Sequence, residues 1–228
     1  MVFFSKKHLY PFSWENVVNA FWNKYPNDLQ SHVRRVDIVN IYFDEKDKIL
    51  YTKRLFSLKY NLPKLLERII GSSLSGLAIE ESKCDFNEKR LISNGANHSF
   101  NNFFLIRETC GFSSNNECPE STLYMQNMAF KLFGEKNKFN RMNKLFENTI
   151  VNLLNEKSQS GIKAMYNKID QIKSMLNNKY EIKGSENKST SYKLNGLSKT
   201  FEKKCLKFFE KINKILLVPY KVIFHNKN

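Results

Sequence analysis

Two cations in this chain stand where their neighbours are apolar. Lys24 adjoins a run in which Trp14, Val17, Val18, Phe21, Trp22 and Tyr25 fall at i, i+3, i+4, i+7, i+8 and i+11, the stripe of an amphipathic helix. Arg54 shares the even positions of "KILYTKRLFSLKY" with Leu50, Phe56 and Leu58, and so shares their face in a strand. A buried cation is costly unless an anion meets it. For Lys24 two readings stand. It is a cation at a helix C-terminus, where the macrodipole favours it by about 0.3–1 kcal/mol, or a charge aimed into a cavity. For Arg54 the two are a structural ion pair, with Asp37 as a candidate, and a charge facing a ligand.

Other chemistries find little support in the residues. The chain has no Gly-x-Ser-x-Gly, no glycine-rich phosphate loop and no His/Cys/Asp cluster. Glu80 and Glu81 are chain neighbours, so in a strand they face opposite sides. Cys84, Cys110, Cys118 and Cys205 include no Cys-x-x-Cys pair, and His8, His32, His98 and His225 are scattered, so no zinc site is expected. Cys110 and Cys118 flank a turn and could meet across a hairpin; free thiols are the expectation. Neither an enzyme nor a resident cofactor is expected.

The elements that must hold these residues follow from local pattern. Residues 2–12 read as a strand, and Ser13 as the N-cap of a helix that Pro26 closes. Residues 33–44 and 48–60 form a β-hairpin with apolar residues on both faces, so both faces are expected to be covered. A short helix follows over "LPKLLERIIGSS", and four β-rich runs lie near 74–83, 89–98, 102–112 and 121–133. From about 137 the period turns helical, with Gly161 a candidate bend. Strands in series with inserted helices imply an α+β fold on an antiparallel sheet. A long helix over a curved sheet can enclose an apolar pocket.

The bulk numbers fit one core and a different tail. Of 228 residues, 41% are hydrophobic and 14% aromatic, which supports a folded domain. The net charge is +15, but residues 162–228 hold 15 lysines and 5 acids, so +10 of it lies there. Residues 179–199 read as a polar linker and 200–228 as a basic tail with an amphipathic helix over 201–217. Such a tail suits an anionic membrane surface; nucleic acid is the alternative, though no compact nucleic-acid-binding motif appears and none is expected to bind. Lys6 and Lys7 interrupt the N-terminal apolar run, so no secretory signal is expected.

Several motifs together resemble a known family. "AFWNKYPN", "HVRRVDIV", "KRLFSLKYNLP" and "KSQSG" stand in the order and spacing of the PRELI/slowmo family of mitochondrial intermembrane-space phospholipid-transfer proteins, over about residues 1–178. The resemblance implies a curved seven-stranded antiparallel sheet whose helices enclose an apolar lipid pocket, a helix-grip or START-like domain. It implies a bound phospholipid as cargo, phosphatidic acid first and phosphatidylserine as the alternative. A small twin Cys-x9-Cys helical partner and a location in the intermembrane space are also implied. Lys24 matches a basic residue that meets the lipid phosphate, and Lys157 one near the headgroup. Arg54 belongs to the same pattern. Lys59 is a further headgroup candidate, one residue later than the family's lysine, where Leu58 stands here. Ile150 and Leu154 replace a basic and an amide residue of the pattern, so the headgroup site is thinner than usual. The lid that closes the pocket or touches membrane maps to Leu62, Pro63, Leu65, Leu66, Ile69 and Ile70.

Overall fold

The computed structural model describes residues 1–60, 74–133 and 143–181. Strand β1 (Val2–Tyr10) leads into helix α1 (Trp14–Asn23) and a 3-10 turn, Asp28–Gln30. Six strands follow: β2 (Val33–Asp44), β3 (Ile49–Tyr60), β4 (Leu74–Asp85), β5 (Arg90–Asn97), β6 (Phe104–Ser114) and β7 (Thr122–Leu132). A long helix, α2 (Asn143–Glu181), completes the described chain. The strands form one antiparallel sheet of seven in the order β1-β7-β6-β5-β4-β3-β2, so β1 returns to pair with the last strand.

Both helices lie on the inner face. Helix α1 buries Trp14, Val17, Val18, Ala20 and Phe21, the stripe that its spacing predicts. Phe21 packs against Phe112 with ring centres 5.4 Å apart, and the Trp14 indole donates to the Phe112 carbonyl at 3.3 Å. Ser13 holds the N-cap position but makes no side-chain cap; its hydroxyl instead accepts from the Asn16 amide at 3.1 Å. Helix α2 presents Ile150, Leu154, Ser158, Ile162, Met165 and Ile169 as one buried stripe. Ile150 and Leu154 pack with Val2, Phe104 and Phe130 in an apolar cluster at one corner of the sheet.

Three expectations change. Gly161 does not bend α2, which is a single helix from Asn143 to Glu181. A lone glycine leaves the backbone hydrogen bonds in place and costs about 1 kcal/mol relative to alanine. The helix also runs past residue 178, into the segment read as linker. Lastly, the outer face of the sheet is not covered throughout: Phe3, Leu9, Tyr42, Leu123 and Met125 stay exposed there. The proposed lid, with Leu62, Pro63, Leu65, Leu66, Ile69 and Ile70, lies outside the described residues, as does the tail helix 201–217.

Candidate headgroup-binding cavity

The inner face of the sheet, α1 and α2 enclose a cavity of about 250 Å³. Most of its wall is apolar: Phe21, Val33, Phe56, Ile106, Met128 and Leu154 are among the lining residues. Among the described residues, its charged lining consists of Lys24, Lys59, Lys157, Glu80 and Glu108, with His32 beside them.

Lys24 is placed by the end of α1. It is the C-cap residue, in helical conformation (φ −60°, ψ −34°). The Asn27 amide donates to its carbonyl at 3.0 Å, while the same side chain caps the following turn through Gln30 N at 2.8 Å. The chain is thus folded back under α1, and the Lys24 ammonium lies 4.8 Å from the Tyr25 ring centre. Burial works to lower its pKa, but Tyr25, Cys110, Glu108 and Glu80 outweigh it and hold the value above that of an ordinary lysine. Helix-terminal and cavity-facing readings of Lys24 therefore both apply: the same residue caps the helix and lines the cavity.

Lys157 projects from α2 into the same cavity. Its pKa is lowered by burial, partly offset by Glu156. His32 titrates at about 4, lowered by burial and then by Lys157 and Lys24. The two lysines thus disfavour charge on His32, and an anion among them would reverse that balance. Gln30 adds a buried amide whose Oε1 has no hydrogen-bond partner among the described residues.

Lys59 also lines the cavity, together with Leu58. Strict alternation would send one of these two outward. Opposite them, β2 has a register irregularity between Val33 and Arg35, and such a bulge adds local twist. The backbone of Lys59 donates to the His32 carbonyl at 2.8 Å, which ties the two cavity residues together.

Arg54 is the headgroup candidate that the structure assigns elsewhere. It is buried, does not line the cavity and forms an ion pair with Glu80, through Nε at 2.8 Å and Nη2 to the same oxygen. Its guanidinium lies 4.7, 4.9 and 5.3 Å from the ring centres of Phe21, Trp22 and Phe56. Asp37, the partner considered from sequence, pairs instead with Arg35 on its own strand at 2.8 Å. The reason is register: Arg54 stands opposite Glu80 across β3 and β4 on the inner face.

Other cavity residues escape the sequence reading. Glu108, Cys110, Tyr124 and Gln126 also line the cavity. The Ser158 hydroxyl donates to Gln126 Oε1 at 2.6 Å, and Gln126 Nε2 donates to Glu108, a chain from α2 to the sheet. Cys110 lies within hydrogen-bonding distance of Tyr124 at 3.4 Å, and burial, then Glu108, pushes its thiol pKa well up. Cys110 and Cys118 are both free. Parity was the available signal: Glu108 and Cys110 alternate in step with Phe104, Ile106 and Phe112, so β6 places an acid and a thiol on its apolar face.

An antiparallel sheet gripping one long helix around a cation-lined cavity is a helix-grip fold. The chain belongs to the PRELI-like family, whose sequence profile matches residues 15–175. It is 28% identical to protein UPS2, mitochondrial, of Saccharomyces cerevisiae over 139 residues, 60% of this chain and 60% of that protein. It is 26% identical to the UPS-like protein C36.10 of Schizosaccharomyces pombe over 175 residues, 75% of this chain and 91% of that protein. Among solved structures, a START superfamily protein from Mycobacterium smegmatis is 13% identical with a TM-score of 0.43, covering 75% of this chain and 98% of that one.

Proposed function

We propose that this chain carries an anionic phospholipid between membranes without altering it chemically. The observation that carries the reading is the grouping of Lys24, His32, Lys59 and Lys157 on an otherwise largely apolar cavity. Acyl chains gain about 0.8 kcal/mol per CH2 buried. Each charged hydrogen bond to the phosphate adds about 1.5–3 kcal/mol. Cys110 is held protonated, a poor nucleophile, which suits a carrier better than a covalent catalyst.

Phosphatidic acid is the first cargo reading, because the cations on the cavity wall match a bare phosphate. Phosphatidylserine is the second, favoured by Glu108, a carboxylate on the same wall that suits an ammonium. The site of action is the mitochondrial intermembrane space, in line with UPS2, whose name places that protein in mitochondria. A small twin Cys-x9-Cys helical protein is the proposed partner, and the basic tail the proposed tether to the membrane. The test is mass spectrometry of lipid extracted from purified protein, followed by liposome transfer. Phosphatidic acid or phosphatidylserine in the extract supports the reading. Protein that yields no phospholipid and transfers none defeats it, and competition between the two lipids orders the cargoes.

A further inference from the structure

One corner of the outer sheet face combines exposed aromatics with charge of a single sign. Phe3 is 70% exposed, Phe103 53% and Phe133 40%. The Phe133 amide donates to the Phe103 carbonyl at 2.8 Å, so the end of β7 is fastened to the start of β6. Lys131 places its ammonium 4.8 Å from the Phe133 ring centre. Register sets Phe3, Ala129 and Arg107 in one row across β1, β7 and β6, and Lys131 beside Leu105 in the next. No Asp or Glu occurs in residues 1–12, 97–107 or 121–133, the segments that build this corner. The opposite half of the sheet differs: its outward residues mix both signs, as in the pairs Arg35–Asp37 and Lys53–Glu81.

The corner also backs onto the cavity through a mainly apolar cluster. Directly behind it lie Val2, Phe104, Phe130, Ile150 and Leu154, with Ile106 and Met128 packed against them. Ile106, Met128 and Leu154 are at the same time cavity wall.

We infer that this corner docks on an anionic membrane surface, with Phe3, Phe103 and Phe133 entering the interface and Lys131 and Arg107 meeting lipid phosphates. The inference builds on the carrier reading but names a separate surface. Exposed apolar rings need a water-poor neighbour. An acid-free rim with two cations complements negative headgroups, and a lysine stem lying over an aromatic ring keeps its charge at the interface.

Flotation of the full chain with phosphatidylcholine vesicles, with and without cardiolipin, tests the surface. Two double variants serve: Phe103→Ser with Phe133→Ser, and Lys131→Gln with Arg107→Gln. Wild type should float with the cardiolipin vesicles. Each double variant should bind on the order of tenfold less, and the charge variant's deficit should shrink at high salt. Both should still co-purify with phospholipid, which separates docking from cargo binding and from misfolding. Wild-type flotation by the charge variant, whose side chains are exposed and not part of the core, overturns the proposal. So does loss of a co-purifying protein while flotation persists, which would make the corner a protein interface. Wild type that floats yet carries no phospholipid leaves docking standing and defeats the carrier reading.

Discussion

Arg54 and Lys24 are both cations of the protein interior, and their surroundings are opposite. Arg54 has a carboxylate opposite it in the sheet and three aromatic rings around its guanidinium. Lys24 has Tyr25 beside it, no carboxylate in salt-bridge contact among the described residues, and open cavity before it. A charge whose partner is built into the chain is part of the structure. A charge whose nearest free space is a cavity is available to a ligand. The two residues look alike in sequence, each a cation on an apolar face.

The largest effect should come from the paired corner. Arg54→Ala strands Glu80 in a half-buried site and should lower unfolding free energy by about 3–5 kcal/mol. Replacing both partners by leucine should recover most of that loss. Urea titration of the single and double variants reads the difference. If Arg54→Ala unfolds at the wild-type midpoint, the pair is not structural.

Lys24 should behave in reverse. Lys24→Glu places a further carboxylate near Glu80 and Glu108 and should lower unfolding free energy by about 0.5–3 kcal/mol, less than Arg54→Ala. Transfer of anionic lipid between liposomes should nevertheless vanish. Lys24→Met, which removes the charge without reversing it, should weaken retention by the 1.5–3 kcal/mol of one charged hydrogen bond, about tenfold to a hundredfold. Normal transfer by Lys24→Glu would remove this residue from the headgroup site.

A smaller effect tests whether Gln126 and Glu108 are held from α2. Ser158→Ala removes the hydroxyl that donates to Gln126, and should cost about 0.5–1.5 kcal/mol in stability. Its effect on cargo preference should exceed its effect on total lipid bound, because Gln126 in turn holds Glu108.

A further effect concerns pH. His32 titrates at about 4 in the fold, against an ordinary value of 6.5. Between those values the unfolded chain binds the additional proton, so stability falls as pH drops through that window and is unaffected by this group above it. Burial, then Lys157 and Lys24, keeps the imidazole neutral, and a bound phosphate should raise its pKa. Lipid-loaded protein should therefore lose less stability between pH 6.5 and 4 than lipid-free protein. His32→Gln should flatten the lipid-free slope. Identical slopes for loaded and empty protein would show that the anion does not reach His32.

Local pattern by itself determined the elements. The period of Trp14, Val17, Val18 and Phe21 marks one buried face of α1, and the alternation of β6 places Phe104, Ile106 and Phe112 inward with Glu108 and Cys110. Motif spacing brought Lys24 and Lys157 forward, and the structure sets both on one cavity wall although they lie far apart in the chain. What sequence could not assign were partners across the sheet. Arg54 meets Glu80 and not Asp37 because β3 pairs with β4 in one register, a long-range fact that no window of a few residues contains. Lys59 lines the cavity opposite an irregularity in the neighbouring strand β2, a feature that its own alternation does not reveal. His32, Gln30, Glu108 and Gln126 become one wall only when β6, β7 and α2 close around the end of α1. Period is set by the geometry of each element and is legible locally, whereas pairing depends on which elements meet, and that is decided by burial of the whole chain.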